Sequence, residues 1–90
     1  MSSTWFVYIV RCADNSLYTG ITTDLSRRMN EHNHSNKLGA KYTRVRRPVT
    51  LVYSKDEGSR SSASSTEYQL KRLAKRQKEQ LVSEFLIVKK

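Results

Sequence analysis

The sequence is short of acid, of sulfur and of long apolar runs, and each shortage closes off a class of function. Its 8 Asp and Glu stand against 17 Lys and Arg, a formal charge of +9 over 90 residues. Such an excess adds self-repulsion to the folded state, and proteins that carry it usually offset that against a polyanion, nucleic acid before an acidic membrane surface. The plainer alternative is a solubility surface. The one cysteine, Cys12, excludes an intramolecular disulfide and fits a reducing cytosol. It lies beside an apolar run, which points to strand packing rather than a nucleophile, and no His–Cys spacing suggests zinc. The apolar start runs only from Trp5 to Val10, too short for a signal-peptide core and far too short to span a membrane. There are no internal repeats. The expectation is one domain over residues 1–90, cytoplasmic, monomeric and not membrane-bound, because so short a chain cannot bury two cores.

What is present reads as a small mixed fold. Trp5–Cys12 is β-branched and aromatic on both parities, as in a strand buried on both faces and central in its sheet. Ala13–Ser16 is a turn by composition, and Leu17–Thr22 is the return strand of a hairpin. A three-residue loop, Ala13–Asn15, pairs Val10 with Tyr18 and Tyr8 with Gly20, so both tyrosines share a face; Asn15 suits the left-handed position that such a loop needs. Thr23 or Asp24 can cap a helix over 25–33, with Leu25, Met29 and His32 inward. His34–Gly39 is a polar loop, Lys41–Arg47 is dense in positive charge and stops at Pro48, and Val49–Tyr53 is a third strand. The serine-rich stretch 58–65 could be a linker. Glu67, Leu70, Leu73 and Ala74 at helical spacing favour the start of a helix that runs basic and amphipathic to Phe85, with Lys71, Arg72, Lys75, Arg76 and Lys78 outward. A break near Ala74–Gln77 would make two helices. The fold class is α/β (α+β), a small three-stranded antiparallel sheet flanked by helices.

Several side chains are candidates for chemistry, each with a plainer reading. Tyr8 and Tyr18 can be sheet packing. Gly20 inside a strand marks close approach by another group, or a simple bulge. Arg28 and His32 are i and i+4, about 40° apart around a helix, so both point one way. Arg28 can hold phosphate oxygens and His32 can move protons or bond a phosphate; the plain alternative is an exposed Arg beside a partly buried His. Glu67 can be an ordinary helix residue paired with Lys71.

Phe6-Val7-Tyr8-Ile9 followed by Tyr18-Thr19-Gly20 resembles the two strand motifs of the GIY-YIG nuclease superfamily. Asp24–His32 is similar to the family helix with its Arg and following His, and Glu67 to the metal-binding Glu of a later helix. Lys41-Tyr-Thr-Arg, Arg47-Pro48 and Val52-Tyr53 are similar to its small stand-alone bacterial branch. Phe6 stands where the first motif names Gly, and Thr19 where the second names Ile. Ile21 stands where some members carry Lys, and no Asn occurs between Gln77 and Ser83 where many carry one.

The resemblance implies a metal-dependent nuclease that hydrolyses phosphodiester bonds in DNA or RNA, with DNA the preferred expectation. One divalent ion, Mg²⁺ or Mn²⁺, is held by Glu67. Arg28 binds a non-bridging oxygen, a tyrosine, Tyr8 first, takes the proton of the attacking water directly or through His32, and Tyr18 orients water or phosphate. Gly20, Lys41, Tyr42, Arg44, Arg46 and Arg47 are expected along the nucleic acid, with binding that weakens steeply as salt rises. Two other functions fit the same residues: a binding module that keeps the fold without turnover, and a basic adaptor in a repair or ribosomal complex.

Overall fold

A computed structural model of the chain describes residues 4–89; residues 1–3 and 90 lie outside the described residues. Strands β1 (Phe6–Arg11), β2 (Leu17–Thr22) and β3 (Thr50–Asp56) form one antiparallel sheet in the order β2-β1-β3. Helices α1 (Leu25–His34), α2 (Lys41–Arg44), α3 (Arg60–Lys71) and α4 (Lys75–Lys89) surround it. β1 is central because its residues are apolar on both parities, and Val7, Tyr8, Ile9 and Val10 are all buried. Val7 and Ile9 pack with Val52, Leu70 and Val82 under α3 and α4. On the opposite face Tyr8 and Val10 pack with Cys12 and Val49, and Leu25 and Met29 of α1 lie against them. Cys12 is thus a packing residue, and burial raises its thiol pKa away from the reactive range.

The hairpin has the expected register. Val10 pairs with Tyr18 and Tyr8 with Gly20, the Cys12 N–H donates to the Ser16 carbonyl at 2.8 Å, and Asn15 takes φ +71. Facing residues of paired strands lie on one side, so Tyr8 and Tyr18 share the α1 face. Asp24 caps α1, accepting from the Arg27 N–H at 3.0 Å. β3 runs on to Asp56 and carries a register shift opposite Ile9 and Val10. Val52 is skipped in the pairing, so it and Tyr53 both face α3 and α4, which a strict alternation does not anticipate.

The serine-rich stretch is helical. Ser59 caps α3, its hydroxyl accepting from the Ser62 N–H at 3.1 Å. The helix break falls at residues 72–74, where the Gln77 side chain accepts from the Ala74 N–H at 2.9 Å. Lys71, Arg72, Lys75 and Arg76 are exposed, whereas Lys78 is half-buried. α2 is a short helix where the sequence suggested only a charged segment.

α4 is fastened to the sheet by Arg11, whose Nη1 and Nη2 donate to the two Glu79 oxygens at 2.8 and 2.6 Å. Lys75 Nζ adds a contact at 2.9 Å. Arg11 first, then Lys75, hold the Glu79 carboxyl down to about 2. Because its folded pKa lies below its unfolded one, Glu79 stabilises the fold above the ordinary glutamate range and loses that contribution as pH falls toward about 2. The effect is modest, since both side chains remain partly exposed. In denaturant unfolding, the stability difference between wild type and Glu79→Gln should be flat near neutral pH. It should shrink between about 4.5 and about 2; a difference that holds constant to pH 2 would mean the pair contributes nothing.

Candidate active site

The site begins with an atom that is missing. Gly20 pairs with Tyr8, and a Cβ at Gly20 would fall against the Tyr8 hydroxyl and 2.6 Å from its Cζ. The bare glycine lets the Tyr8 ring lie across β2. The close approach that Gly20 marks therefore comes from within the fold, by Tyr8. Gly20 itself is buried.

The Tyr8 hydroxyl lies 2.7 Å from His32 Nε2. The other ring nitrogen, Nδ1, lies 2.9 Å from the Thr43 hydroxyl of α2. His32 is fully buried, so the plainer reading of a merely partly buried ring does not hold. Tyr18 sets the edge of its ring 5.6 Å from His32, centre to centre. Arg28, one turn before His32, reaches Tyr8 Oη with Nε at 3.4 Å. Its Nη1 is shared between Glu31 at 2.8 Å and the Leu38 carbonyl at 2.7 Å, while Nη2 has no hydrogen bond among the described residues. Tyr8, Tyr18, Arg28 and His32, drawn from three elements, thus converge on the α1 face of the sheet.

Burial sets the protonation states. It pushes the Tyr8 phenol up to about 12, against the lowering effect of Arg28, and Tyr18 and Glu67 push the same way. Burial, helped by Arg28 and Arg47 and opposed by Glu31, pushes His32 down to about 4. At neutral pH the tyrosine is protonated and the imidazole is neutral, so the pair holds one transferable proton in its hydrogen bond.

Glu67 lies on α3 and is half-buried. Its charge is felt at Tyr8, and it also pairs with Lys71 at 3.3 Å. No group of three or more His, Cys, Asp or Glu that could hold a metal ion occurs among the described residues. The donor set does not fit a zinc-type cage. A single carboxylate fits Mg²⁺ or Mn²⁺ that keeps water and substrate oxygens as its other ligands, and the exposed Lys71 can swing away to release it.

The basic segment is more structural than its charge suggests. Arg47 spends its guanidinium on the end of α1, donating to the His32 and Ser35 carbonyls at 2.5 and 2.7 Å and to Asn36 Oδ1 at 3.0 Å. Arg46 bonds Asp14 at 3.1 Å and lies 3.9 Å over the Tyr42 ring. Tyr42 also stacks on Tyr18, with ring centroids 5.7 Å apart and an interplanar angle of 20°. Tyr42 itself remains exposed. Arg44 donates to the Asn36 carbonyl at 2.7 Å and is exposed, as is Lys41. Lys41, Tyr42 and Arg44 are exposed, while Arg47 holds the end of α1 and Arg46 lies against Tyr42. Sequence reasoning passed over Thr43 and Glu31. Glu31 was accessible as the i+3 partner of Arg28, but no periodicity marks Thr43.

The sequence pattern of the GIY-YIG catalytic domain matches residues 4–80. The chain belongs to the GIY-YIG family. A UPF0213 protein of Desulfotalea psychrophila is 59% identical over 78 residues, covering 87% of this chain and 70% of that protein. The UPF0213 protein YhbQ of Escherichia coli K12 is 55% identical over 80 residues, covering 89% of this chain and 78% of that protein. The solution structure of a UPF0213 protein from Bacillus halodurans superposes with a TM-score of 0.56 at 48% identity, over 89% of this chain and 83% of that one. A solution structure from E. faecalis gives a TM-score of 0.61 at 37% identity, over 93% and 88%. GIY-YIG membership places the chain in a nuclease superfamily and makes nucleic acid the expected substrate. Among the described residues no helix is long and apolar enough to cross a membrane.

Gly20→Ala tests the geometry of this GIY-YIG site. The added methyl meets the Tyr8 ring, so the variant should lose about 1–3 kcal/mol in denaturant unfolding. Wild-type stability would show that Tyr8 does not depend on the gap at Gly20.

Proposed function

We propose that the chain is a one-metal endonuclease that hydrolyses phosphodiester bonds in DNA or RNA, and that Tyr8 takes the proton of the attacking water while passing its own to His32. The observation that carries this reading is the buried 2.7 Å contact between Tyr8 Oη and His32 Nε2. A tyrosine held near 12 is a poor base by itself, so the route through His32 is favoured over direct deprotonation.

Arg28 binds the scissile phosphate through Nη2, the edge that has no hydrogen bond among the described residues. The phosphate brings negative charge beside His32, which raises the affinity of the imidazole for a proton when substrate is in place. As water attacks phosphorus, its proton moves to Tyr8 Oη and the Tyr8 proton moves to His32 Nε2. The P–O bond to the leaving oxygen breaks, and that oxygen takes a proton from solvent. Arg28 Nε, 3.4 Å from Tyr8 Oη, stabilises negative charge that develops on the phenol. Glu67 would hold the divalent ion, which supplies charge neutralisation at the phosphate and leaving group. Tyr18, braced by Tyr42, orients water or a phosphate oxygen with its hydroxyl.

A binding module without turnover is separated from this reading by Glu67→Gln. Supercoiled plasmid, branched DNA and RNA are incubated with Mg²⁺ or Mn²⁺, then with EDTA, alongside melting and binding measurements. Cleavage by the wild type should depend on the metal. Glu67→Gln should melt and bind nearly as wild type while cleavage collapses. A variant that cleaves at the wild-type rate would remove Glu67 from the site, and a wild type that binds without cleaving would favour the binding module.

A further inference from the structure

The Tyr8–His32 contact works as a proton path only if His32 Nε2 carries a lone pair, so one ring tautomer is required. We propose that Thr43 is a positioning residue that fixes that tautomer, its hydroxyl accepting the Nδ1–H of His32 so that Nε2 stays free to receive the Tyr8 proton. The inference rests on the reading of Tyr8 and His32 given above, but its structural half can be tested without any cleavage.

Counting protons decides the tautomer. With Nδ1 protonated, the Tyr8 hydroxyl donates to Nε2 at 2.7 Å and Nδ1–H donates to Thr43 Oγ1 at 2.9 Å. The Thr43 hydroxyl then donates to the Ala40 carbonyl at 3.0 Å. Every proton of this series, from Tyr8 through His32 and Thr43 to the Ala40 carbonyl, then has an acceptor. With Nε2 protonated, both Nε2–H and the Arg28 Nε–H point at Tyr8 Oη, and the Tyr8 proton has no acceptor among the described residues. An unsatisfied buried hydroxyl costs about 1–3 kcal/mol, so the first arrangement wins.

Two hydroxyls select the tautomer, that of Tyr8 from the Nε2 side and that of Thr43 from the Nδ1 side, and the remaining surroundings do not. From β1 and β2 the ring meets Tyr8 and Tyr18, and Arg28 and Glu31 lie on its own helix. Arg47, beyond α2, is bonded to the backbone carbonyl of His32 and leaves the ring nitrogens alone. Thr43 is the group that meets Nδ1. It is fully buried, and α2 places it there while the adjacent Tyr42 braces Tyr18. One short helix thus supports both side chains. A threonine acceptor resists titration, unlike a carboxylate in the same place, and therefore fixes the proton without holding His32 charged.

The test reads the tautomer directly, by ¹⁵N NMR of histidine-labelled protein at neutral pH, and sets it beside single-turnover cleavage and binding. The wild type should show His32 protonated on Nδ1. Thr43→Val keeps the shape but removes the acceptor, so the ring should shift toward the Nε2–H form. Cleavage should then fall by roughly 10- to 100-fold with substrate binding nearly unchanged. Thr43→Ser should restore both. A wild-type ring protonated on Nε2, or a Thr43→Val protein that keeps the Nδ1–H form, would overturn the proposal. If Thr43→Val does not fold, the wild-type spectrum and Thr43→Ser still decide: a serine variant protonated on Nε2 would contradict it. A wild type with the expected tautomer but no cleavage of any substrate would instead count against the nuclease reading, leaving the structural role of Thr43 standing.

Discussion

The hydrogen bond between the Tyr8 hydroxyl and His32 Nε2 joins the central strand to the first helix through two buried side chains, and most of the site follows from making it. Tyr8 reaches His32 by lying across β2, which requires a residue without Cβ at its partner position; Gly20 meets that requirement. The pairing of Tyr8 with Gly20 in turn requires the three-residue hairpin loop and a left-handed residue, Asn15, within it. His32 is brought to the same place by a helix capped at Asp24 and held at its far end by Arg47. A shift of one residue in the hairpin would turn Tyr8 to the other face and dissolve the arrangement.

Burial gives that contact its chemical character. An exposed tyrosine and histidine would each exchange protons with solvent. Here desolvation raises one pKa and lowers the other, so the neutral pair is stable until charge arrives. The surrounding cations have distinct tasks. Arg28 has one nitrogen without a hydrogen bond among the described residues, Arg46 is bonded to Asp14 and lies over Tyr42, and Arg47 is bonded to the end of α1. Part of the excess positive charge holds the site together, and the exposed part includes Arg27, Lys37, Lys41, Arg44 and Lys55 as well as residues of α3 and α4.

The parts of this architecture that depend on local rules were legible in the sequence. β1 is apolar on both parities and is the central strand, Asn15 and the loop length set the hairpin, and Asp24 caps α1. Tyr8, Tyr18, Arg28 and His32 do converge, because strand alternation and helical spacing suffice to place them. What could not be read depends on contacts between distant segments. Gly20 signals that something comes close, but not that the visitor is Tyr8. The contacts that Arg46, Arg47 and Tyr42 make within the fold are not announced by the basic segment, because their partners Asp14, His32 and Tyr18 lie far along the chain. Thr43 was invisible for the same reason: its partner lies eleven positions earlier, across a loop that no periodicity spans. The Val52 bulge escaped because β1 imposes it through the register.

Single-turnover cleavage by Tyr8→Phe, with binding measured in parallel, is the most direct test of the claim that the Tyr8 hydroxyl relays the proton of water. The variant loses one oxygen and leaves His32 Nε2 unpaired, so it should remain folded with a stability loss of about 1–3 kcal/mol. It should bind nucleic acid as the wild type does, and its metal-dependent cleavage should be lost. Cleavage by Tyr8→Phe at the wild-type rate would contradict the account, because the proton would then be leaving by a path that does not pass through Tyr8.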